Sequence, residues 1–226
     1  RILEELMSKL DNQSPELTYS VVIEKLYNMC WDSQVNAAYS LARQMIKACA
    51  NAGHLKVMAW FERYLCTIQF FAGRMKDSVY YYEKSLALPE EELNYLGMHS
   101  TAIYAAKAYQ MLGDRERSLS VLSEELQRLR NTGNYEEMWA CYLLSAEIHY
   151  QNTFIDRMNG LDVSFETAVK YFGLANEYAP LYRKTDFQMR WAKLQQLTYS
   201  LIFTDAPRED MVQEIFENLE QAGAYL

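Results

Sequence analysis

The sequence predicts an all-α protein, and three observations support this class. Gly and Pro, which break helices, number only 8 and 4 among 226 residues, and the β-branched residues that favour strands are also sparse. Apolar residues recur at helical spacing, as in the leucines at positions 119, 122, 126 and 129. Half of the residues are hydrophobic, which is enough to build a packed core.

Six helices are predicted in the first half of the chain. Ser14 precedes Pro15, and this pair can cap the start of the second helix. Gly73 ends the fourth apolar run and Gly113 ends the sixth, where a left-handed residue closes a helix without a Cβ clash. These helices cover residues 1–11, 15–31, 33–52, 54–72, 75–88 and 93–112.

Five more helices are predicted in the second half. Gly133 ends the helix that carries the leucine stripe, and Asn134, with Glu137 three residues on, can cap the next one. Thr185 and Asp205 are the cap candidates for the last two helices. These five helices cover residues 115–131, 134–152, 163–179, 185–204 and 207–222.

An internal repeat organises these helices. Residues 71–88 align with residues 111–128 at an offset of 40, which places Gly73 on Gly113 and Ser78 on Ser118. The helix before each of the two aligned segments has a small residue at the matching position, Cys66 or Ala106. Ser145, 39 residues after Ala106, continues this series. Since one helix pair cannot bury its apolar face alone, we expect antiparallel pairs stacked as an α-solenoid, with the first helices lining a concave surface.

The expected organisation is a single domain, residues 1–226, with residues 152–163 as an inserted loop. This insertion is either a tolerated surface loop or a lip that contacts a ligand. Because the sequence starts without an initiator Met and has no basic-then-apolar leader, we expect a fragment of a longer protein.

Composition excludes several classes of function. The formal net charge of -8 argues against direct nucleic-acid binding, since phosphate neutralisation needs a surplus of Lys and Arg. No stretch between charged residues is longer than that of residues 93–106, which is short of the roughly 20 residues that a membrane span requires. The four cysteines are scattered without a paired motif. A soluble protein with reduced thiols, located in the cytoplasm, is therefore predicted.

Signatures of catalysis are absent from the sequence. It contains no phosphate-binding glycine loop, no nucleophile elbow and no zinc-protease motif. The three histidines, at positions 54, 99 and 149, are far apart in the chain, so we expect no metal site. Cys141 and His149 would lie two turns apart on one helix, about 12 Å, too far for proton transfer. We therefore expect a protein that is not an enzyme and that needs no cofactor.

The end of the predicted helix 163–179 resembles the tetratricopeptide repeat, a right-handed superhelix of helix pairs. Its closing pattern is reproduced by Ala168, Phe172, Ala175 and Pro180. The segments around Ser78 and Ser118 fill the same places more loosely. The period near 40 instead of 34, and Glu125 where the family has a small residue, depart from the pattern.

Longer units of this kind are similar to the sensor region of MalT-like, LuxR-family transcription regulators. The similarity lies in the general character of the sequence, such as the aromatic-rich run at 80–88 and the turn at 108–114. It implies a non-enzymatic sensor and oligomerisation domain, with nucleotide-binding and DNA-binding modules outside this fragment.

The repeat family's concave positions, carried onto this sequence, predict a wall that mixes aromatic rings with cations and amides. Such a wall suits a peptide, a sugar or a small acidic inducer. The alternatives are an adaptor that holds a peptide or partner helix in the groove, and an accessory region of a larger enzyme. The predicted wall residues are Trp60, Arg63, Thr67, Phe70, Lys107, Gln110, Trp139, Tyr142, His149, Tyr150, Arg190 and Lys193.

Charge is uneven near the C-terminus. Residues 182–193 carry a surplus of three positive charges, whereas the residues from 205 onward carry a net charge of -5. Both a polar cap on a terminal repeat and a docking surface for another domain or protomer are compatible with this pattern.

Overall fold

A computed structural model describes residues 15–87 and 101–178, together with residues 212–213 and 216–217. Over these ranges the chain is helical and contains no strand, so the all-α prediction is confirmed there. Eight helices have defined bounds in this part of the chain: α1 (Pro15–Trp31), α2 (Val35–Ala52), α3 (Leu55–Phe71), α4 (Met75–Ser85), α5 (Thr101–Met111), α6 (Arg115–Leu129), α7 (Tyr135–Met158) and α8 (Glu166–Tyr178).

Six of these helices begin and end within three residues of the predicted bounds. For α5, the predicted start at residue 93 lies outside the described residues, and its end at Met111 is one residue from the prediction. The predicted helices 1–11 and 185–204 also lie outside the described residues. Of the predicted helix 207–222, the four described residues are helical.

Helix α7 differs from its prediction, because it continues to Met158 instead of ending near residue 152. Residues 152–158 contain no Gly or Pro that would stop a helix. Just beyond Met158, Gly160 has a φ of 83°, which lets the Leu161 N–H bond back to the Asp156 carbonyl at 3.0 Å and closes the helix. The connection to α8 therefore comprises residues 159–165, and it is shorter than the predicted insertion.

The chain divides into two compact units, residues 1–118 and residues 119–226. The single-domain expectation stays a prediction.

In the first unit, α3 is the central helix. It packs against α1, α2, α4 and α5. Its side chains are buried nearly all around, and the largest of them are Trp60, Phe61 and Tyr64. Because four helices contact α3, this helix has little surface left for water.

The turns between successive helices in this unit share one geometry. Gly73 has a φ of 73°, and the Arg74 N–H bonds to the Gln69 carbonyl at 2.9 Å. The equivalent turn of the next repeat has the same bond, since the Asp114 N–H reaches the Tyr109 carbonyl at 2.9 Å. Both turns use a left-handed residue to satisfy carbonyls that the helix end leaves free.

In the second unit, α7 packs along α8. The predicted cap at the start of α7 is confirmed: the Glu137 N–H donates to the Asn134 side-chain oxygen at 3.3 Å, and the Asn134 amide donates to the Glu137 carboxylate at 2.7 Å. Ala168, Phe172 and Ala175 of α8 are buried. No helix among the described residues is both long and apolar enough to span a membrane.

Candidate functional site

The predicted wall residues of the first unit begin with a stripe along α3. Trp60, Arg63 and Thr67 follow one another at three- and four-residue steps and so share one helix face. All three are buried, and Trp60 is only 2% exposed. The Trp60 ring packs against Tyr19 of α1, with 4.5 Å between the ring centroids. This part of the predicted wall is therefore covered in the structure.

Arg63 is the unusual member of this stripe, because it is a charged side chain that is only 6% exposed. Its Nε–H donates to the Thr101 hydroxyl at 2.6 Å, and Thr101 is the first residue of α5. No carboxylate of residues 15–87 or 101–178 forms an ion pair with it. A guanidinium has five N–H donors, so a single hydroxyl can use only a small part of its hydrogen-bonding capacity.

Two neighbours of Arg63 on α3 extend this polar interior. The Thr67 hydroxyl is fully buried and has no hydrogen-bond partner in the described part of the chain. The Cys66 thiol donates to the Thr101 carbonyl at 3.6 Å and lies 3.4 Å from the Ser78 hydroxyl. Burial raises the pKa of the Cys66 thiol to about 12, although Ser78 and the charge of Arg63 oppose this rise. The thiol is therefore neutral at ordinary pH, and it is no nucleophile.

Phe70 belongs to a separate ring cluster at the end of α3. The rings of Phe70 and Tyr104 lie 5.3 Å apart, and Phe71 lies between Tyr104 and Trp31 at 5.4 and 5.3 Å. Trp31 is 63% exposed, so this cluster reaches the surface. Two further predicted wall residues, Lys107 and Gln110, are half-buried on α5.

In the second unit, α7 and α8 interleave their rings in what we call the aromatic ladder. It contains Tyr135, Tyr142 and His149 from α7, and Tyr171 and Tyr178 from α8. Tyr178 is stacked 5.2 Å from Tyr142, and His149 is stacked 5.1 Å from Tyr171 at 17° between the planes. The ladder is half-buried except for Tyr135, which is 39% exposed.

Burial shifts the pKa of two ladder residues toward their neutral forms. It lowers the pKa of His149 below 6.5 and raises the pKa of Tyr142, so both side chains favour their neutral forms. At these two positions the ladder therefore presents uncharged rings with polar edges.

The remaining predicted wall residues do not join this ladder. Tyr150 is stacked on Phe165 at 5.6 Å and on Phe154 at 6.2 Å, at the far end of α7. Trp139 is half-buried on the same helix. Arg190 and Lys193 lie outside the described residues. The binding role assigned to the whole set stays a prediction.

Sequence reasoning missed Thr101, Tyr171, Tyr178 and Tyr135. The three ladder residues had a detectable signal, since rings recur at intervals of seven at 135, 142 and 149 and again at 171 and 178. Thr101 had none, because it lies 38 residues from Arg63 in the chain.

Within the described residues, no group of three or more His, Cys, Asp or Glu side chains could hold a metal ion. The four cysteines are free and buried. Burial also raises the pKa of Cys141 well above its usual range.

Comparison with models of protein families, with curated proteins and with solved structures finds no match for this chain.

Proposed function

We propose that this chain is a non-catalytic recognition domain built from stacked helix pairs. The observation that carries the proposal is a hydrogen bond that recurs at the offset of the sequence repeat. The Ser78 hydroxyl donates to the Cys66 carbonyl at 2.9 Å, and the Ser118 hydroxyl donates to the Ala106 carbonyl at 2.7 Å. Each serine lies on the second helix of a pair and each carbonyl on the first, so both pairs join their two helices in the same way.

The turns support the same period. Residues with a left-handed backbone follow α1, α2, α3, α5 and α6, and they are Ser33, Gly53, Gly73, Gly113 and Gly133. Neighbouring positions in this series are separated by an equal number of residues, except that the distance from Gly73 to Gly113 is twice as long. The step from Gly53 to Gly73 holds one helix with its turn, and the step from Gly73 to Gly113 holds two helices, α4 and α5. Gly160, which follows the longer α7, departs from this spacing. Equal turn spacing gives successive pairs the same length, which is what stacking in an α-solenoid requires.

Contacts among the odd-numbered helices support a shared recognition surface. In the first unit, α3 packs against both α1 and α5. In a solenoid of pairs, the first helices lie side by side in this way and line one face. Where this face reaches the surface, it carries the ring cluster around Phe71, which is exposed at Trp31. Aromatic rings are a usual lining of binding sites for small molecules or peptides.

The resemblance to MalT-like regulators gives this recognition domain a role as sensor and oligomerisation region of a LuxR-type transcription regulator in the cytoplasm. A ligand that binds one arrangement of the pairs more tightly would shift the population toward it. Self-association of that arrangement would then bring the flanking DNA-binding modules together.

An adaptor for peptides is the second candidate, and the aromatic ladder favours it. Five half-buried or exposed rings with polar edges supply a large contact area at low cost in conformational entropy. In this alternative, the ladder holds an extended peptide and no conformational change is needed.

The repeat period is tested by deleting residues 75–114. This deletion joins Arg74 to Arg115 and removes one repeat unit in register. We expect the shortened chain to fold cooperatively, because the remaining pairs keep their equivalent contacts. Circular dichroism and urea denaturation measure the outcome.

Deletion of residues 75–104 is the control, since it removes three quarters of one repeat and joins Arg74 to the middle of α5. We expect this variant to lose its cooperative transition. If both deletions unfold the protein equally, the solenoid proposal is wrong.

Sedimentation velocity separates sensor from adaptor. The sensor requires that a bound small molecule changes the sedimentation coefficient of the chain. The adaptor requires that a tyrosine-contacting peptide binds without such a change and loses affinity when Tyr142 is replaced by Ala.

A further inference from the structure

The guanidinium of Arg63 is a buried charge without a counter-ion among residues 15–87 and 101–178. Removing an arginine from water costs several kcal/mol unless an acid or several acceptors replace the lost hydration. Its hydrogen bond to the neutral hydroxyl of Thr101 supplies neither. The nearest acid along the chain, Glu62, is engaged elsewhere, with Lys84 at 3.3 Å.

Unit two shows how this protein stabilises a buried ionised pair. Glu125 is 4% exposed and binds Arg128 through both carboxylate oxygens. That pair places each charge against its opposite in a bidentate geometry. Arg63 has the same need for a carboxylate and lacks one among the described residues.

A hydroxyl without a partner lies one helical turn from Arg63. The Thr67 hydroxyl is fully buried, no described residue bonds to it, and it lies four residues further on the same face of α3. One buried cation and one buried hydroxyl that share a helix face form a donor set for an acceptor with two oxygens.

We propose that Arg63 and Thr67 bind the carboxylate of a small monocarboxylic acid with an apolar or aromatic body. This inference rests on the proposed recognition function and names its ligand class. A single buried cation matches a single negative charge. A phosphate monoester carries a charge of about -1.5 to -2 at neutral pH and would leave part of that charge uncompensated.

The burial of Arg63 in the free protein couples binding to conformation. A ligand reaches the guanidinium only when the packing of α3 against its neighbours opens. The carboxylate then stabilises the opened arrangement, which is the differential affinity that a sensor requires.

The first test needs no ligand and uses Arg63→Met. Methionine keeps much of the side-chain volume and removes the charge, so the ligand-free variant should have a higher melting temperature than the original chain. Arg128→Met is the matched control. It removes the bidentate contact to the buried carboxylate of Glu125, and it should lower the melting temperature. A similar loss in both variants overturns the proposal, because Arg63 would then be a structural residue.

The second test measures thermal stabilisation by benzoate and hexanoate, with the neutral benzamide and hexanamide as controls. Concentrations up to about 10 mM detect a Kd of about 1 mM. We expect the two acids to raise the melting temperature and the amides to leave it unchanged. Arg63→Met should weaken binding of the acids by about 10- to 100-fold, and Arg63→Lys should restore part of it.

Three results overturn the inference: no stabilisation by either acid, equal stabilisation by the amides, or an equal effect of inorganic phosphate. These results leave the proposed function standing if the 75–114 deletion still folds and a neutral molecule or a peptide binds. If the deletion unfolds the protein as its control does, the proposed function fails independently of Arg63.

Discussion

Helices α3 and α7 carry the larger part of the predicted wall, and the structure treats them differently. The rings and polar groups of α3 point into packing contacts with four other helices, and Trp60 and Thr67 are covered. The rings of α7 lie against α8 and keep part of their surface exposed. Equivalent places in a repeat therefore do not guarantee equal access to solvent.

This difference in exposure shows that the burial of a side chain depends on how many helices pack against its own helix. A polar side chain of α3 needs a hydrogen-bond partner inside the protein. Among the described residues, Arg63 bonds to Thr101 through its Nε–H, and the Thr67 hydroxyl has no partner. An α7 side chain such as Tyr142 can direct its polar edge toward water. Candidate binding residues are therefore indicated by buried polar groups without partners on α3, and by exposed rings on α7.

The largest expected effect that separates the two helices comes from removing one ring from each. Trp60→Ala should lower the free energy of unfolding by about 4 kcal/mol, because it leaves a cavity in a packed interior. Tyr142→Ala should cost about 1 kcal/mol, since the ring is half-buried and its loss is filled by water. Urea denaturation measures both values.

Tyr142→Phe serves as the control and should change the free energy of unfolding by less than about 0.5 kcal/mol, because it keeps the stacked ring. Equal losses for Trp60→Ala and Tyr142→Ala would contradict the contrast between the two helices.

The next effect concerns the serines at the repeat positions. Ser78→Ala and Ser118→Ala should each lower the free energy of unfolding by about 1 kcal/mol, because each removes a buried hydrogen bond between two helices. Ser145→Ala on α7 should be within about 0.5 kcal/mol of neutral, because its hydroxyl bonds to Cys141 of its own helix at 2.8 Å. Chemical denaturation of the three variants decides whether the two bonds are equivalent.

An effect of similar size should be the same for a glycine beside each of the two helices. Gly73 follows α3 and Gly133 precedes α7, and both have φ near 70° with open space around the Cα atom. Replacement by Ala should therefore cost about 1 kcal/mol at each position, purely through backbone strain. Thermal unfolding of the two variants provides the values.

Gly173 is the matched control for these glycines. It lies within α8 with no positive φ and with open space around it, so Gly173→Ala should stabilise the protein by about 0.5 to 1 kcal/mol. A loss at Gly173 as large as at Gly73 would show that packing, and not the backbone, sets these costs.

The smallest effect is a pH dependence confined to α7. Burial lowers the pKa of His149 below 6.5 in the folded protein, so the unfolded chain takes up the proton first as the pH falls. The contribution of His149 to stability is complete above about pH 7 and decreases as the pH falls through its folded pKa. His149→Phe keeps a ring beside Tyr171 and should flatten this part of the profile. Denaturation midpoints between about pH 5 and pH 7.5 test it, and an unchanged profile in the variant would rule out His149 as the cause.

The sequence predicted the helices closely where local signals are strong. Asn134 with Glu137 capped α7 as expected, and Gly73 and Gly113 end their helices in left-handed conformation. The predicted end of α7 was wrong. Comparison with a shorter repeat suggested an insertion at residues 152–158, although these residues contain no signal that would stop a helix.

Within the described residues, local sequence signals were therefore sufficient to locate the helices and the turns between them. Helical periodicity, caps and left-handed glycines act over a few residues, and each can be recognised without knowledge of distant partners. Trp60, Arg63 and Thr67, which were predicted as wall residues, lie on one face of α3, and that face is buried.

Which of these helix faces are buried, and which residues contact them, follows from the packing of the helices against one another. Arg63 lies against Thr101, and the ladder joins Tyr142 to Tyr171 and Tyr178, through contacts between residues distant in the chain. Burial of a side chain is the sum of what all neighbouring helices place around it. A pattern within one helix records which side is apolar, but it does not record how many helices pack against that side.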